Sequence, residues 1–401
     1  MKFGLFYNPM LPKSPDRNDF EPGRERQAFL SMIEQIRFAD SLGFDYVFLG
    51  EHHFMPEYAH NSATEVLLGA LAVETKSIRI GTGIVHMSHN EPIRTAERIA
   101  MLDQLSGGRA EFGFGPGTPA EVAPLMRHPA EQARQVSAAA SQIAVDVLAS
   151  PGLWPGTEND FFTYPQVDVV PKSFQSPHPP LWTSISRPGA STSAAERGLG
   201  ALLVAAGGPA MVEQELQAYW HALKTGPVNL VGHGVNPAFF AFVDGIVAPT
   251  DELARERALE GLELFGFGIS GAATVRIGDP EHHLWNEFQD FKAGRRDVRT
   301  EYGVPDFMIQ MGNGFGHGPG TLMSGPEGAT AFSRQMEATN VDGLLLNQQH
   351  GHTSHEALME SIEIWGKQVI PEFRDPDRVA AHEAWRKEQI DAIGLPVVTS
   401  V

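Results

Sequence analysis

Glu51-His-His-Phe54 sets two adjacent imidazoles beside a carboxylate. Such a set can move protons, donate to a developing anion or ligate a metal. Equally, one His packs and the other is solvated; spacing alone does not choose. Gly81-Thr-Gly-Ile-Val-His86 interrupts an apolar run with glycines at 81 and 83, which fits a bulge, a barrel kink or the close approach of a ligand. Phe112-Gly-Phe-Gly-Pro-Gly117 alternates glycines along one face, leaving room for a flat ring or a phosphate. It lacks the full G-x-G-x-x-G dinucleotide pattern. Ser184-Ile-Ser-Arg-Pro-Gly-Ala-Ser-Thr192 offers hydroxyls, one Arg and helix-start amides: an anion seat, or an ordinary helix cap with a surface Arg. Gly312–Gly320 reads as a mobile loop, a candidate lid. His350-Gly-His-Thr-Ser-His355 adds three imidazoles, but no motif supplies carboxylate ligands beside them, and no metal site is assigned.

The elements that position these residues follow from apolar spacing. Lys2–Tyr7, Tyr46–Gly50, Ile78–Val85, Ala110–Gly115, Leu181–Ile185, Ala201–Val204, Ala238–Val247 and Val341–Asn347 read as strands. Between them, Phe29, Met32, Ile33, Ile36 and Ala39 share a helix face, and Ser62-Ala-Thr-Glu65 has capping-box spacing ahead of a helix over 63–75. Pro92 opens another helix, which Gly107 closes. Further helices are expected over 131–149, 191–197, 211–224, 251–264, 327–339 and 354–369. Regular strand–helix alternation implies parallel strands and right-handed crossovers. Eight cycles predict a (β/α)8 TIM barrel, in which residues just after each strand form the working mouth. Such a barrel takes about 250 residues, so a single domain over 1–401 must carry extended insertions, placed at 8–23, 150–180 and 265–326.

Composition narrows the partners. Lys plus Arg total 30 against 49 for Asp plus Glu, a net charge of −19. Nucleic acid and anionic membranes are therefore poor partners. There are no cysteines, which excludes thiol nucleophiles, disulfides and thiolate-bound metals. No signal peptide or membrane-length apolar stretch is visible, so a cytoplasmic globular protein is expected.

Taken in order, the motifs resemble the bacterial luciferase-like flavin monooxygenases. The pieces are Phe3-Gly-Leu-Phe6, Leu42-Gly-Phe-Asp45 with Glu51-His-His-Phe54, Thr75–Gly83, Pro92–Glu97, Leu102-Asp-Gln-Leu-Ser-Gly-Gly-Arg109, Ala194–Gly198, Val247–Asp251, Ser324–Glu327 and Asn340–Gly343. The resemblance implies a barrel that uses reduced FMN, supplied by a separate NAD(P)H:flavin reductase, and O2. A C4a-peroxyflavin then oxygenates a small organic substrate, and the chain dimerises through helices flanking strands two and three. His52 inherits the catalytic role, with Glu51 and His53 in support. The family's non-prolyl cis peptide falls at Gly83–Ile84, beneath the flavin. Cofactor contacts carried over are Gly83, Ile84, Gly115, Pro116, Gly117, Ser186, Arg187, Ala190 and Ser191. Two departures stand out: Pro116 occupies the place of a phosphate-binding Arg, and Ser186–Ala190 replaces a hydroxyl-rich phosphate loop. Arg187 is expected to supply the missing cation. Phe and Trp in the insertions, among them Trp154, Trp285, Phe288 and Phe315, point to an apolar substrate. The alternatives are an F420-dependent oxidoreductase on the same barrel, a non-catalytic flavin-binding relative, and a metal-dependent barrel hydrolase using His52, His53, His350 and His352.

Overall fold

The computed structural model describes residues 1–398 apart from 188, 227, 274–276, 302 and 305. Eight short runs rich in buried aliphatic and aromatic residues form parallel strands: β1 (Lys2–Tyr7), β2 (Tyr46–Leu49), β3 (Arg79–Thr82), β4 (Ala110–Gly115), β5 (Leu181–Ile185), β6 (Gly200–Val204), β7 (Phe239–Val247) and β8 (Gly343–Asn347). Each pairs with the next. Leu181 of β5 opposes Phe112 of β4, and Gly343 of β8 opposes Lys2 of β1, so the sheet closes into a cylinder. The interior is an aromatic plug of Phe6, Tyr46, Phe48, Trp182, Phe240 and Phe242. Tyr46 meets Phe240 edge-on at 4.9 Å, and Phe48 meets Trp182 at 5.4 Å. Fully burying each such ring contributes roughly 1.5–3 kcal/mol. At the opposite end from the mouth, Glu111 is closed off by Arg79 and by Trp182, whose Nε1–H donates to it at 2.6 Å.

Helices α1 (Arg24–Ser41), α2 (Thr64–Glu74), α3 (Pro92–Ser106), α4 (Ala133–Ala149), α5 (Ala190–Glu196), α6 (Gly208–Thr225), α7 (Asp251–Phe267), α8 (Pro326–Glu337), α9 (His355–Ile364) and α10 (Pro376–Asp391) surround the barrel. The α3 boundaries follow local chemistry: Pro92 sits in the first turn, the Glu91 carboxylate accepts the Arg94 amide at 2.6 Å, and Gly107 takes the left-handed stop at φ 64°. Among the described residues no helix is long and apolar enough to cross a membrane.

Several expectations are corrected. Ser62 does not cap α2; Ala63 holds that place with no side-chain cap, and the Thr64 hydroxyl reaches Glu65 instead. The third strand is not continuous over 78–85. It breaks after Thr82 and resumes as Val85–His86, which pairs with Phe114 and Gly115. The 265–326 insertion is largely ordered structure: helices Leu284–Lys292 and Asp306–Gly314 and a strand, Thr321–Ser324, which adds to β7 beyond the reach of β8. Gly312 therefore belongs to a helix, not to a free loop, and it crosses α7 so closely that a Cβ there would lie 2.3 Å from the Gly266 carbonyl oxygen. The helix after β8 gives way at Ile364 to a wider turn over Trp365–Val369, and α10 was not foreseen.

Candidate functional site

The mouth is built from the segments that leave β2, β3, β4 and β5. After β2, Asn61 clamps the chain: its Nδ2 donates to the Gly50 carbonyl at 3.1 Å, and its own carbonyl accepts the His52 amide at 3.0 Å. After β3 the Gly83–Ile84 peptide is cis, both residues half-buried. The following loop is tied to β4 by Met87 N–H to Gly115 O (2.8 Å) and the Ser88 hydroxyl to Pro116 O (2.7 Å). After β4 comes a short helix, Pro119–Val122, which carries Glu121.

Glu121 is fully buried and organises the site. One carboxylate oxygen takes the His53 amide at 2.7 Å and His52 Nδ1 at 3.0 Å; the other takes the Thr118 hydroxyl at 2.9 Å. Burial opposes its charge, but these donors and the nearby imidazoles outweigh it and hold its pKa down to about 2. An ionised carboxylate is acceptor-only, so His52 must present Nδ1–H to it and keep Nε2 for chemistry. His52 is a quarter exposed, at 24%. Its ring stands 5.8 Å from that of Tyr58, which stacks on Phe265 at 5.3 Å. Beyond them Met10, Met55, Phe267, Phe288 and Phe315 form one apolar cluster.

His53 Nε2 lies 2.9 Å from Glu51 Oε1. Burial disfavours charge on His53, yet Glu51 and the more distant Glu121 and Glu65 raise its pKa. Burial pushes the Glu51 carboxyl up. His86 and His89 stand against the same carboxylate, their pKa values lowered by burial to about 3 and about 4. Phe54 is 46% exposed and holds a φ of 60°, rare for a bulky side chain and worth tolerating mainly at working sites.

The structure alters the reading of the glycines. The space beside Gly113 is taken by the Thr82 carbonyl, where a Cβ would lie 2.1 Å away, and that beside Gly115 by Ile84 at 2.3 Å. Beside Gly117, Val122 and His86 leave a Cβ only 2.6 and 2.9 Å. These glycines admit neighbouring protein rather than leave an open shelf. The half-buried surface at the mouth is instead Gly83, Ile84, Pro116 and Gly117.

The anion seat after β5 is also partly reassigned. Ser191 is buried with its hydroxyl on Glu215, so it is committed within the protein. α5 begins one residue early, at Ala190, and Pro188 lies outside the described residues. Ser186 and Arg187 are exposed. Arg187 has its pKa lowered first by partial burial and then by the charge of Arg134, at the start of α4. Arg187 thus lies within reach of the Arg134 charge, and neither guanidinium is ion-paired among the described residues.

The remaining imidazoles disperse. His350 Nε2 meets Asp244 at 3.2 Å, beside Asn347. His352 packs on Trp285 and lines a cavity of about 560 Å³ with Arg257 and Glu260. His355 bonds Gln35 and lines a smaller cavity of about 220 Å³. Among the described residues these three form no common ligand group with His52.

Sequence reasoning missed Glu121, Arg134 and His89. Glu121 had a signal, since Thr118-Pro-Ala-Glu121 has capping-box spacing; the fold turns that carboxylate inward onto His52 instead.

The family model for luciferase-like monooxygenases matches residues 1–311. The chain belongs to the luciferase-like monooxygenase family. Limonene 1,2-monooxygenase of Rhodococcus erythropolis is 29% identical over 301 residues, covering 70% of this luciferase-like chain and 74% of its own. The oxygenase component of a flavin-dependent trigonelline monooxygenase from Acinetobacter baylyi is 28% identical over 206 residues, 49% of this chain and 52% of that one. An uncharacterised Sinorhizobium fredii protein is 34% identical over 217 residues, 54% of this chain and 59% of that one. The chain thus spans little more than half the length of the last two. The oxygenating constituent of 3,6-diketocamphane monooxygenase from Pseudomonas putida, solved with FMN, superposes with a TM-score of 0.65 at 19% identity, covering 93% of this chain and 98% of that one. The F420-dependent tetrahydromethanopterin reductase of Methanopyrus kandleri superposes at 0.61 and 20% identity, covering 93% and 99%. At such identities the two structures speak for the barrel alone.

Proposed function

We propose that this chain is the oxygenase of a two-component, flavin-dependent system that inserts one oxygen atom from O2 into a small apolar substrate. The observation that carries the reading is the His52–Glu121 pair at the barrel mouth, an imidazole held in one tautomer by a buried ionised carboxylate. The flavin-dependent trigonelline monooxygenase among the relatives supports the flavin.

The mouth fits such a cofactor. Gly83, Ile84, Pro116 and Gly117 give a partly exposed floor. Arg187 and Arg134 give an unpaired cationic seat for a phosphate, in place of the arginine that Pro116 displaces. Ser186 and the start of α5 at Ala190 flank that seat. Gly115 and Ser191 act behind the surface, packing Ile84 and Glu215.

Bound reduced FMN, delivered by an NAD(P)H:flavin reductase, supplies the activation of O2. The chain's own residues do the rest. Glu121 fixes the ring of His52, and His52 Nε2 takes up and returns a proton at the mouth. His53 and Glu51 hold the loop that carries it. The apolar cluster around Tyr58, Phe265 and Phe288 shelters the site from water and favours an apolar substrate. A dimer through α2 and α3 has support in their exposed apolar residues: Val66 and Val73, seven apart on α2, and Met101 and Leu105 on α3.

The test is oxygen uptake with reduced FMN and a panel of apolar aldehydes, ketones and alkenes, with the wild type and His52→Ala. The expected result is coupled product formation in the wild type. In the variant, oxygen consumption diverts to hydrogen peroxide while FMN affinity holds. Hydride transfer with F420 and no product with reduced FMN would replace the reading by the deazaflavin alternative.

A further inference from the structure

Beside the His52–Glu121 pair, four side chains converge that the proposed chemistry does not require together. One nitrogen each from His53, His86 and His89 and one carboxylate oxygen of Glu51 lie within 4.8 Å of one another. His53 Nε2 is 2.9 Å and His89 Nε2 3.5 Å from the same oxygen, Glu51 Oε1. His89 is more than nine-tenths buried, and its Nε2 has no hydrogen-bond partner although it is aimed at that oxygen. His86 is 4% exposed, and its Nδ1 makes no hydrogen bond, Glu121 Oε1 standing 3.9 Å away. Leaving a buried polar atom unsatisfied costs about 1–3 kcal/mol, and His89 Nε2 is such an atom, aimed into the group.

We propose that Glu51, His53, His86 and His89 form a binding site for a divalent transition-metal ion of the zinc class. Three imidazoles and one carboxylate match the ligand preferences of zinc and its neighbours, whereas magnesium and calcium favour oxygen-rich shells. Zinc–ligand bonds of about 2.0–2.2 Å set donors roughly 3.3 Å apart, so rings now within 4.8 Å must swing inward by about 1 Å. The second layer suits the role: Asn90 Nδ2 donates to Glu51 Oε1 at 3.2 Å and is itself held by Arg98, whose Nη2 donates to Asn90 Oδ1 at 3.0 Å.

Four protein ligands fill a tetrahedral shell and leave no open position, the mark of a structural rather than a catalytic ion. The ion would join the loop after β2 to the loop after β3. Since His52 lies between two of its ligands, Glu51 and His53, it would fix the backbone on which the proposed base stands. The site is independent of which flavin or substrate the mouth receives.

The test uses full-length protein without a polyhistidine tag, stripped by chelator and equilibrated with zinc chloride. One zinc per chain by elemental analysis is expected, with a raised melting temperature. Cobalt(II) in the same site should give the visible absorption of a tetrahedral nitrogen–oxygen shell. In the His86→Gln/His89→Gln double variant, zinc affinity should fall at least tenfold. Substoichiometric zinc in the wild type, or full stoichiometry in a folded double variant, overturns the proposal. Should the double variant fail to fold by circular dichroism, the wild-type cobalt spectrum decides, and an octahedral spectrum overturns it.

Discussion

Replacing Glu121 by Gln should separate the positioning of His52 from the binding of flavin. The substitution is close to isosteric, and the site can accept it. The Gln oxygen can keep the His52 Nδ1 and His53 amide hydrogen bonds, while its NH2 donates to the Thr118 hydroxyl where Oε2 now accepts. The fold should therefore survive. Only the charge is lost. Hydrogen bonds to a charged group contribute about 1.5–3 kcal/mol and neutral ones about 0.5–1.5, so two donors facing Oε1 lose roughly 1–3 kcal/mol between them. The relief of no longer burying an ion offsets part of this. The catalytic effect is larger. When Nε2 takes a proton, the resulting imidazolium stands against a carboxylate in the wild type and an amide in the variant. At roughly 4 Å and an effective dielectric of about 20 the difference is about 4 kcal/mol. Turnover should accordingly fall about 10²- to 10³-fold, with FMN affinity within about threefold, since Glu121 exposes no surface. Two measurements check it: product per FMN oxidised, and long-range proton–nitrogen NMR of the imidazoles. The spectrum should show His52 protonated at Nδ1 and bare at Nε2. A wild-type His52 carrying its proton on Nε2, or a Glu121→Gln enzyme with unaltered product yield, would refute the reasoning.

Arg187→Ala should weaken FMN at least tenfold, as should Arg134→Ala, read by fluorescence quenching; unchanged affinity in both removes the phosphate seat. Gly113→Ala drives a Cβ to 2.1 Å from the Thr82 carbonyl, so urea unfolding should show a loss of about 2 kcal/mol or more, whereas Gly152→Ala, with open space around it, should be near neutral. Val66→Glu/Val73→Glu should convert a dimer to a monomer by light scattering, and an unshifted mass would move the interface elsewhere. His178 is lowered in pKa chiefly by burial. Its Nδ1 lies 2.8 Å from the Pro179 carbonyl, and its Nε2 takes the His233 amide at 3.1 Å, so the neutral ring is required. The unfolded chain then binds the extra proton first. Its contribution is present above the ordinary pKa near 6.5 and lost as pH falls below it, by up to about 1.4 kcal/mol per pH unit. Urea unfolding from pH 8 to 5 should show a shallower acid limb for His178→Gln than for the wild type.

The barrel was legible because its signals are local and repeated. β1 follows from Lys2–Tyr7, and α3 from Pro92 and Gly107, because cap and stop chemistry acts within a few residues. Thr321–Ser324 was not legible. Its four residues look like loop, and they become a strand only because β7 runs on past β8, which ends its pairing at Asp244, and offers a free edge over 245–247. The alternating glycines of β4 suggest space for a ligand. Sequence cannot say what fills the side that glycine vacates, and here it is Thr82 and Ile84, brought in where β3 breaks. His52 could be picked out by its motif, but its partner stands 69 residues away on the short helix after β4. No spacing rule reaches that far.

That separation explains why two neighbouring carboxylates in one mouth can hold different states. Glu51 and Glu121 have the same chemistry, and both are buried. Glu121 faces the His53 amide, the Thr118 hydroxyl and His52, and these donors keep it ionised. Glu51 has fewer strong donors, its closest being His53 and an Asn90 amide at 3.2 Å, with a His86 amide at 3.4 Å, so burial prevails and its pKa rises. Environments that push like groups apart assign their roles. The ionised one orients a base. The other stands where three imidazoles converge, and that geometry, with the unpartnered His89 Nε2, carries the metal site proposed beside His52. The Glu121→Gln spectrum and the zinc titration probe the two sites separately.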